Sequence, residues 1–130
     1  MMVKRSTVGH RFTVARLVAA VERRDLTVFA RIDHAALARR VNLELLPVEV
    51  VLFGNPSTGT PLIVSDPRVG VDLPLRMLVW EDSEPLALIG YHDPRELATK
   101  YELGQHRATL DRMAELLAEI AAEAAGDLRV

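Results

Sequence analysis

Val48-Glu49-Val50-Val51-Leu52-Phe53-Gly54-Asn55-Pro56 and Asp72-Leu73-Pro74-Leu75-Arg76-Met77-Leu78-Val79-Trp80-Glu81 are two apolar runs around a segment dense in glycine, proline, serine and threonine. In the first, Val48, Val50 and Leu52 fall on one face of a strand over 48–54, and Val51 and Phe53 on the other, because strand side chains alternate. In the second, over 75–81, Leu75, Met77 and Val79 share a face and Arg76, Leu78 and Trp80 the opposite one. A strand apolar on both faces is a central strand covered on both sides. Burying one such side chain is worth roughly 1.5–3 kcal/mol, so a whole face left in water is costly. One face is expected to take the long helices, the other the short helices or a second subunit.

Working outward, residues 7–12 read as a first, edge strand. Thr13 has the chemistry of a helix N-cap, with Phe12 and Leu17 at staple positions, and Val14, Leu17, Val18 and Val21 make one apolar face of a helix over 14–24. Asp25 marks its exit. Residues 26–32 read as a second strand, and Asp33 as the cap of a helix over 34–41. Between the two central strands, Gly54-Asn55-Pro56 breaks the first sharply. Thr60-Pro61 offers a cap and a first-turn proline for a short helix that Asp66-Pro67 stops. Residues 86–91 return as a fifth strand after Asp82-Ser83-Glu84-Pro85. Asp93-Pro94-Arg95-Glu96 is a cap, a first-turn proline and a third-position glutamate, opening a helix over 94–102 that Gly104 ends. Leu110, Met113, Leu117, Ile120 and Ala124 form the seam of a last helix over 105–125, about 30 Å long, with Gly126 as its stop.

The 130 residues fit one domain, 1–130, large enough to bury a core without disulfides or metal. There is no cysteine, which excludes disulfides, thiolate metal sites and cysteine nucleophiles. The start of the chain lacks the apolar run of a secretory signal and no window approaches a membrane span, so a soluble, cytoplasmic protein without membrane partners is expected. Net charge is −2 with both signs interspersed. Basic residues are scattered and aromatics few, which argues against a nucleic-acid partner.

Several blocks carry a resemblance: Ile32-Asp33-His34 with Ala35-Ala36, Phe53-Gly54-Asn55-Pro56 with Gly59-Thr60-Pro61-Leu62, Asp72-Leu73-Pro74-Leu75-Arg76 with Val79-Trp80-Glu81-Asp82, and Tyr91-His92-Asp93-Pro94 with Leu97-Ala98. In these, over at least 28–103, the chain resembles the domain of unknown function 302 family. The resemblance implies an α+β fold like one repeat of the TATA-binding protein. That is a curved antiparallel five-stranded sheet in β-α-β-β-β-β-α order, with extra short helices and a long C-terminal helix, often dimeric. It brings no activity and no catalytic residues. Val41-Asn42 stands where a glycine is expected after the second helix, and Tyr101 where a histidine is common.

Candidate chemistry is sparse, and no cofactor is implied. No serine lies in a nucleophile elbow, and Ser57-Thr58-Gly59-Thr60 lacks the lysine of a P-loop. Asp33-His34 and His92-Asp93 stand at strand-to-helix junctions. If those junctions met, His34 and His92 would be weak metal candidates with the two aspartates, and otherwise both aspartates are caps. Arg76 is a charge where the pattern asks for an apolar residue. Its two readings are a structural salt bridge with Asp72, Glu81 or Asp33, and an anchor for a ligand carboxylate. The leading expectation is a non-enzymatic, self-associating, homodimeric module. The alternative is a small-molecule binding module with a pocket between sheet and helix, lined by Asn55, Arg76, Trp80 and Tyr91. A metal-dependent enzyme at the Asp33, His34, His92 and Asp93 junctions is the weakest reading.

Overall fold

The computed structural model describes residues 1–127. Five strands form one antiparallel sheet: β1 (Met2–Arg5), β2 (Thr27–Asp33), β3 (Val48–Gly54), β4 (Leu75–Trp80) and β5 (Leu88–Tyr91). Their spatial order is β1-β5-β4-β3-β2. The two apolar runs are therefore interior strands, as their two-sided pattern predicts. Val48 pairs with Trp80, Val50 with Leu78 and Leu52 with Arg76. The helices are α1 (His10–Arg23), α2 (His34–Arg40), α3 (Pro56–Ser65), α4 (Leu97–Lys100) and α5 (Arg107–Ala125). The architecture is the expected α+β fold with a long last helix.

One face of the sheet is closed by α1 and α5. Val51, Phe53, Met77, Val79, Ile89 and Tyr91 project from it onto Val14, Leu17 and Val21 of α1 and Leu117, Ile120 and Ala124 of α5. A second, smaller core joins Leu62 of α3, Val69, Leu97 of α4 and Leu103 to Leu110 and Met113 in the first half of α5. Gly126 takes a left-handed backbone, φ 80°, and ends α5 as predicted. Asp25 and Asn42 do the same after α1 and α2, with φ of 57° and 61°. Asparagine tolerates this region, so Asn42 does the work expected of a glycine.

Four local expectations are corrected. The first strand lies at Met2–Arg5, not 7–12, and pairs with β5. The helix after it starts at His10, not after Thr13. Its first N–H, that of His10, is met from afar by the Glu81 carboxylate, which accepts it at 2.7 Å. Thr13 is fully buried inside the helix, donating to the Gly9 carbonyl at 2.8 Å and hydrogen-bonded to Ser6 at 2.6 Å. Phe12 is 65% exposed and staples nothing. The short helix begins at Asn55-Pro56 rather than Thr60-Pro61. Asn55 accepts from the Ser57 amide, which leaves Pro61 inside the helix. The expected helix over 94–102 is a 3-10 turn, Pro94–Glu96, followed by the short α4. The caps at Asp33 and Asp93 stand as predicted, accepting from Ala36 and Arg95 amides at 2.9 Å each.

Candidate functional site

The register decides what the second face of the sheet carries. Residues paired across strands share a face. The face away from α1 and α5 therefore presents Ile32, Val48, Val50, Leu52, Leu78, Trp80 and Leu88, with Ala30 and Val3 at its margins. Ile32, Ala30 and Val3 are exposed and the other six are partly exposed. The pattern called for cover on both faces, and among the described residues neither packed core includes a residue of this face.

The Trp80 ring lies across Gly90. A Cβ at Gly90 would stand 2.8 Å from the indole and 3.1 Å from the Met1 sulfur, so the glycine is what lets the ring lie flat. Next to this end of the face, the chain between α2 and β3 holds Val41, Leu43, Leu45 and Leu46 in water, each more than half exposed. This segment is tied to the sheet where the Glu81 amide donates to the Pro47 carbonyl. Large exposed apolar patches are uncommon on monomeric proteins.

Two cations interrupt the face, Arg76 and Arg5, both exposed. Arg76 has no hydrogen bond or ion pair among the described residues, so the structural salt bridge expected of it is not made. The proposed partners are engaged elsewhere. Asp72 accepts from the Tyr101 hydroxyl, Glu81 from His10, and Asp33 caps α2. The Asp72 carboxylate holds the Tyr101 phenol above its ordinary value.

Arg76 also borders a cleft of about 300 Å³ between the start of β4 and the chain leaving β5, with Asp72, His92, Asp93, Glu96 and Lys100. Asp93 is salt-bridged to Arg95 at 2.8 Å, and that hydrogen bonding lowers its pKa. A larger cavity of about 400 Å³ lies on the other side of Leu75. Its walls are Phe29, Gly54, Ile63, Leu73, Pro74 and Met113, with Asn55 at its rim.

The predicted ligand residues are thus spread out. Asn55 borders the apolar cavity, Arg76 the charged cleft, and Trp80 the open sheet face. Tyr91 is 8% exposed in the main core, its pKa raised by burial and then by Asp93. The two aspartate–histidine junctions do not meet either. β2 and β5 run antiparallel with β3 and β4 between them. Asp33-His34 and His92-Asp93 therefore sit at opposite ends of the sheet, three strand spacings or roughly 14 Å apart before any offset along the strands. Both histidines are exposed. Among the described residues no group of three or more histidine, aspartate or glutamate side chains is placed to hold a metal, and no helix is long and apolar enough to cross a membrane.

Sequence reasoning missed the Asp66 centre. Asp66, 5% exposed, accepts from the Arg68 guanidinium at 2.8 and 3.0 Å and from the Glu102 amide at 2.9 Å. Those bonds hold its carboxyl well below the ordinary carboxylate value. The only signal in the sequence was Asp66-Pro67, which reads as a stop.

Comparison with known proteins gives relatives and a fold. Over 92 residues the chain is 39% identical to "Fluoride-specific ion channel FluC 1" of Brucella suis biovar 1 (strain 1330), covering 71% of this chain and 36% of that protein. The protein of the same name from Brucella abortus biovar 1 (strain 9-941) matches at 39% over 92 residues, 34% of its length. The chain thus spans about a third of the curated relatives it matches. The crystal structure of an uncharacterized conserved DUF302 protein from Bacillus stearothermophilus superposes with a TM-score of 0.84 at 16% identity, covering 95% of this chain and 96% of that one. Residues 2–122 match the domain of unknown function DUF302, a longer span than the 28–103 that the motif blocks cover, and the chain belongs to that family.

Proposed function

We propose that this chain is a non-catalytic module that pairs with a second copy of itself through the uncovered face of its sheet. The observation that carries this reading is that face, apolar across five strands and unburied. At strand spacings of about 4.8 Å and roughly 3.3 Å per residue, it measures on the order of 20 by 24 Å. With the Val41–Leu46 segment added, it approaches the roughly 800 Å² per partner of a standard interface.

The charge pattern on the face fits a two-fold. Arg76 and Trp80 stand two residues to either side of Leu78 on the same face. A two-fold axis at Leu78, lying in the interface at right angles to β4, sets each protomer's Arg76 over Trp80 of the other copy, since an isologous contact pairs i with j and j with i. A guanidinium on an indole face is worth roughly 0.5–2 kcal/mol, which gives the unpaired Arg76 a partner. A pairing module also suits a chain whose Brucella relatives carry a similar stretch as one part of a protein named as an ion channel.

Trp80 is the one tryptophan, so it reports on the face directly. Its emission is expected to shift to shorter wavelength as protein concentration rises through the dimer constant. Arg76→Ala removes both symmetry-related contacts, roughly 1–4 kcal/mol together, and should weaken pairing by roughly 5- to 900-fold. An emission spectrum that does not depend on concentration, in a protein that stays monomeric, contradicts the proposal.

A second reading has one observation in its favour: the free Arg76 at the mouth of the charged cleft. It makes that cleft a site for a small carboxylate ligand. The two separate on one variant. Arg76→Ala lowers dimer affinity under the first reading. Under the second it leaves the oligomeric state unchanged and removes the saturable heat of titrating a small carboxylate such as citrate.

A further inference from the structure

We propose that the 400 Å³ cavity beside Gly54 binds an uncharged, lipophilic small molecule of about a dozen non-hydrogen atoms. This site is separate from the sheet face, and the inference does not depend on pairing. Its size is within the ordinary range of small-molecule pockets, far above the water-sized voids of packed interiors. At roughly 30 Å³ for each water-sized group, it holds about thirteen.

The glycines show how the space is kept. Gly54, Gly59 and Gly70 all line the cavity. None has a left-handed backbone that demands glycine. None is forced by close packing either. A Cβ at Gly54 would come no nearer than 3.6 Å to Phe29, one at Gly59 no nearer than 3.9 Å to Leu73, and one at Gly70 would meet nothing within 4 Å. Gly59 is moreover inside α3, where glycine costs about 1 kcal/mol relative to alanine. Neither backbone nor packing asks for these three residues. What they share is a place in the cavity wall, and the nearest neighbours of a Cβ at Gly54 and Gly59 are the opposing wall residues Phe29, Pro74 and Leu73. Much of the wall is also the Gly54-Asn55-Pro56 and Gly59-Thr60 block, with Leu73-Pro74 opposite, motif residues that pairing through the sheet face does not use.

The lining fixes the ligand's chemistry. It contains no charged side chain, and the apolar wall is made by Phe29, Ile63, Leu73, Met113 and Leu116. A charged group placed there would lose part of its hydration and find no counter-ion in the lining. The polar points are few: the hydroxyls of Thr58 and Thr60, and the amide N–H groups of Asn55, whose carbonyl oxygen is committed to the α3 cap. One hydroxyl or carbonyl on an otherwise apolar ligand matches them.

The test is titration calorimetry of the full chain with 1-naphthol, an apolar ring pair with one hydroxyl, run on wild type, Gly59→Leu, Gly70→Trp and Leu78→Glu. The expected result is one site per chain, with a dissociation constant on the order of 100 µM or tighter, which the affinity per atom of small ligands allows. Gly59→Leu and Gly70→Trp should each weaken it at least tenfold while circular dichroism shows a folded protein, and Leu78→Glu should leave it unchanged. Gly70 is exposed with open space around it, so its variant retains the fold. Absence of any wild-type heat up to 1 mM, confirmed by an absent saturation-transfer signal, overturns the proposal. So does binding that survives both filling variants, or binding lost only in Leu78→Glu, which would place the probe on the sheet face.

Discussion

At the scale of single residues, Asp66 and Gly90 show how little of a side chain's task is written in its neighbours. Asp66 closes α3, caps the following turn and holds Arg68 and the Glu102 amide. Its folded pKa lies below the ordinary value of 3.8, because the charged form accepts all these bonds. A depressed folded pKa stabilises the native state fully above the unfolded value. That contribution fades as pH falls through the ordinary value toward the folded one. Asp93, lowered by Arg95, acts in the same direction. Urea midpoints should therefore be flat from pH 7 to about 5 and fall below about pH 4, and Asp66→Asn should flatten the acid limb. Asp33→Ala, which removes the oxygen bonded to the Ala36 amide, should cost about 1 kcal/mol in the same assay. Gly90→Ala should push the indole off the sheet and shift Trp80 emission, since the added Cβ would stand 2.8 Å from the ring.

At the scale of elements, legibility followed where the stabilising partner lies. β3, β4 and α5 could be read directly, because two-sided apolar runs and a seam at spacings of three and four encode their own burial. Leu117 is 1% exposed in that seam, and Leu117→Ala should cost about 2–5 kcal/mol in chemical denaturation. The caps at Asp33 and Asp93 were legible because a cap acts over two or three residues. The start of α1 was not: its amide partner Glu81 is 71 residues away, so the local Thr13 looked like the better cap. β1 was missed for the same reason. Its pairing with β5 is made across the length of the chain, and nothing in Met2-Val3-Lys4-Arg5 alternates clearly. The candidate site was half legible. The two apolar faces predicted a surface needing cover, and Arg76 stood out as the charge within it. That Arg76, Trp80, Asn55 and Tyr91 would face different surfaces depends on the register and on where α3 begins, and local spacing specifies neither.

At the scale of the molecule, the fold is a sheet closed on one face by two long helices and open on the other. The closed face supplies stability, and the open face is the surface through which pairing is proposed. A carboxylate in the middle of a paired interface would be buried without a partner, which costs several kcal/mol for the complex and little for the free chain. Leu78 is partly exposed and belongs to neither packed core, so Leu78→Glu separates association from folding. Sedimentation equilibrium across low to high micromolar concentration, on wild type and Leu78→Glu together, is the most direct measurement. Pairing through the sheet face predicts a reversible monomer–dimer equilibrium in wild type and a folded monomer in Leu78→Glu, weakened at least 100-fold. A wild-type chain that is monomeric throughout, or a dimer that persists unchanged in Leu78→Glu, would contradict it.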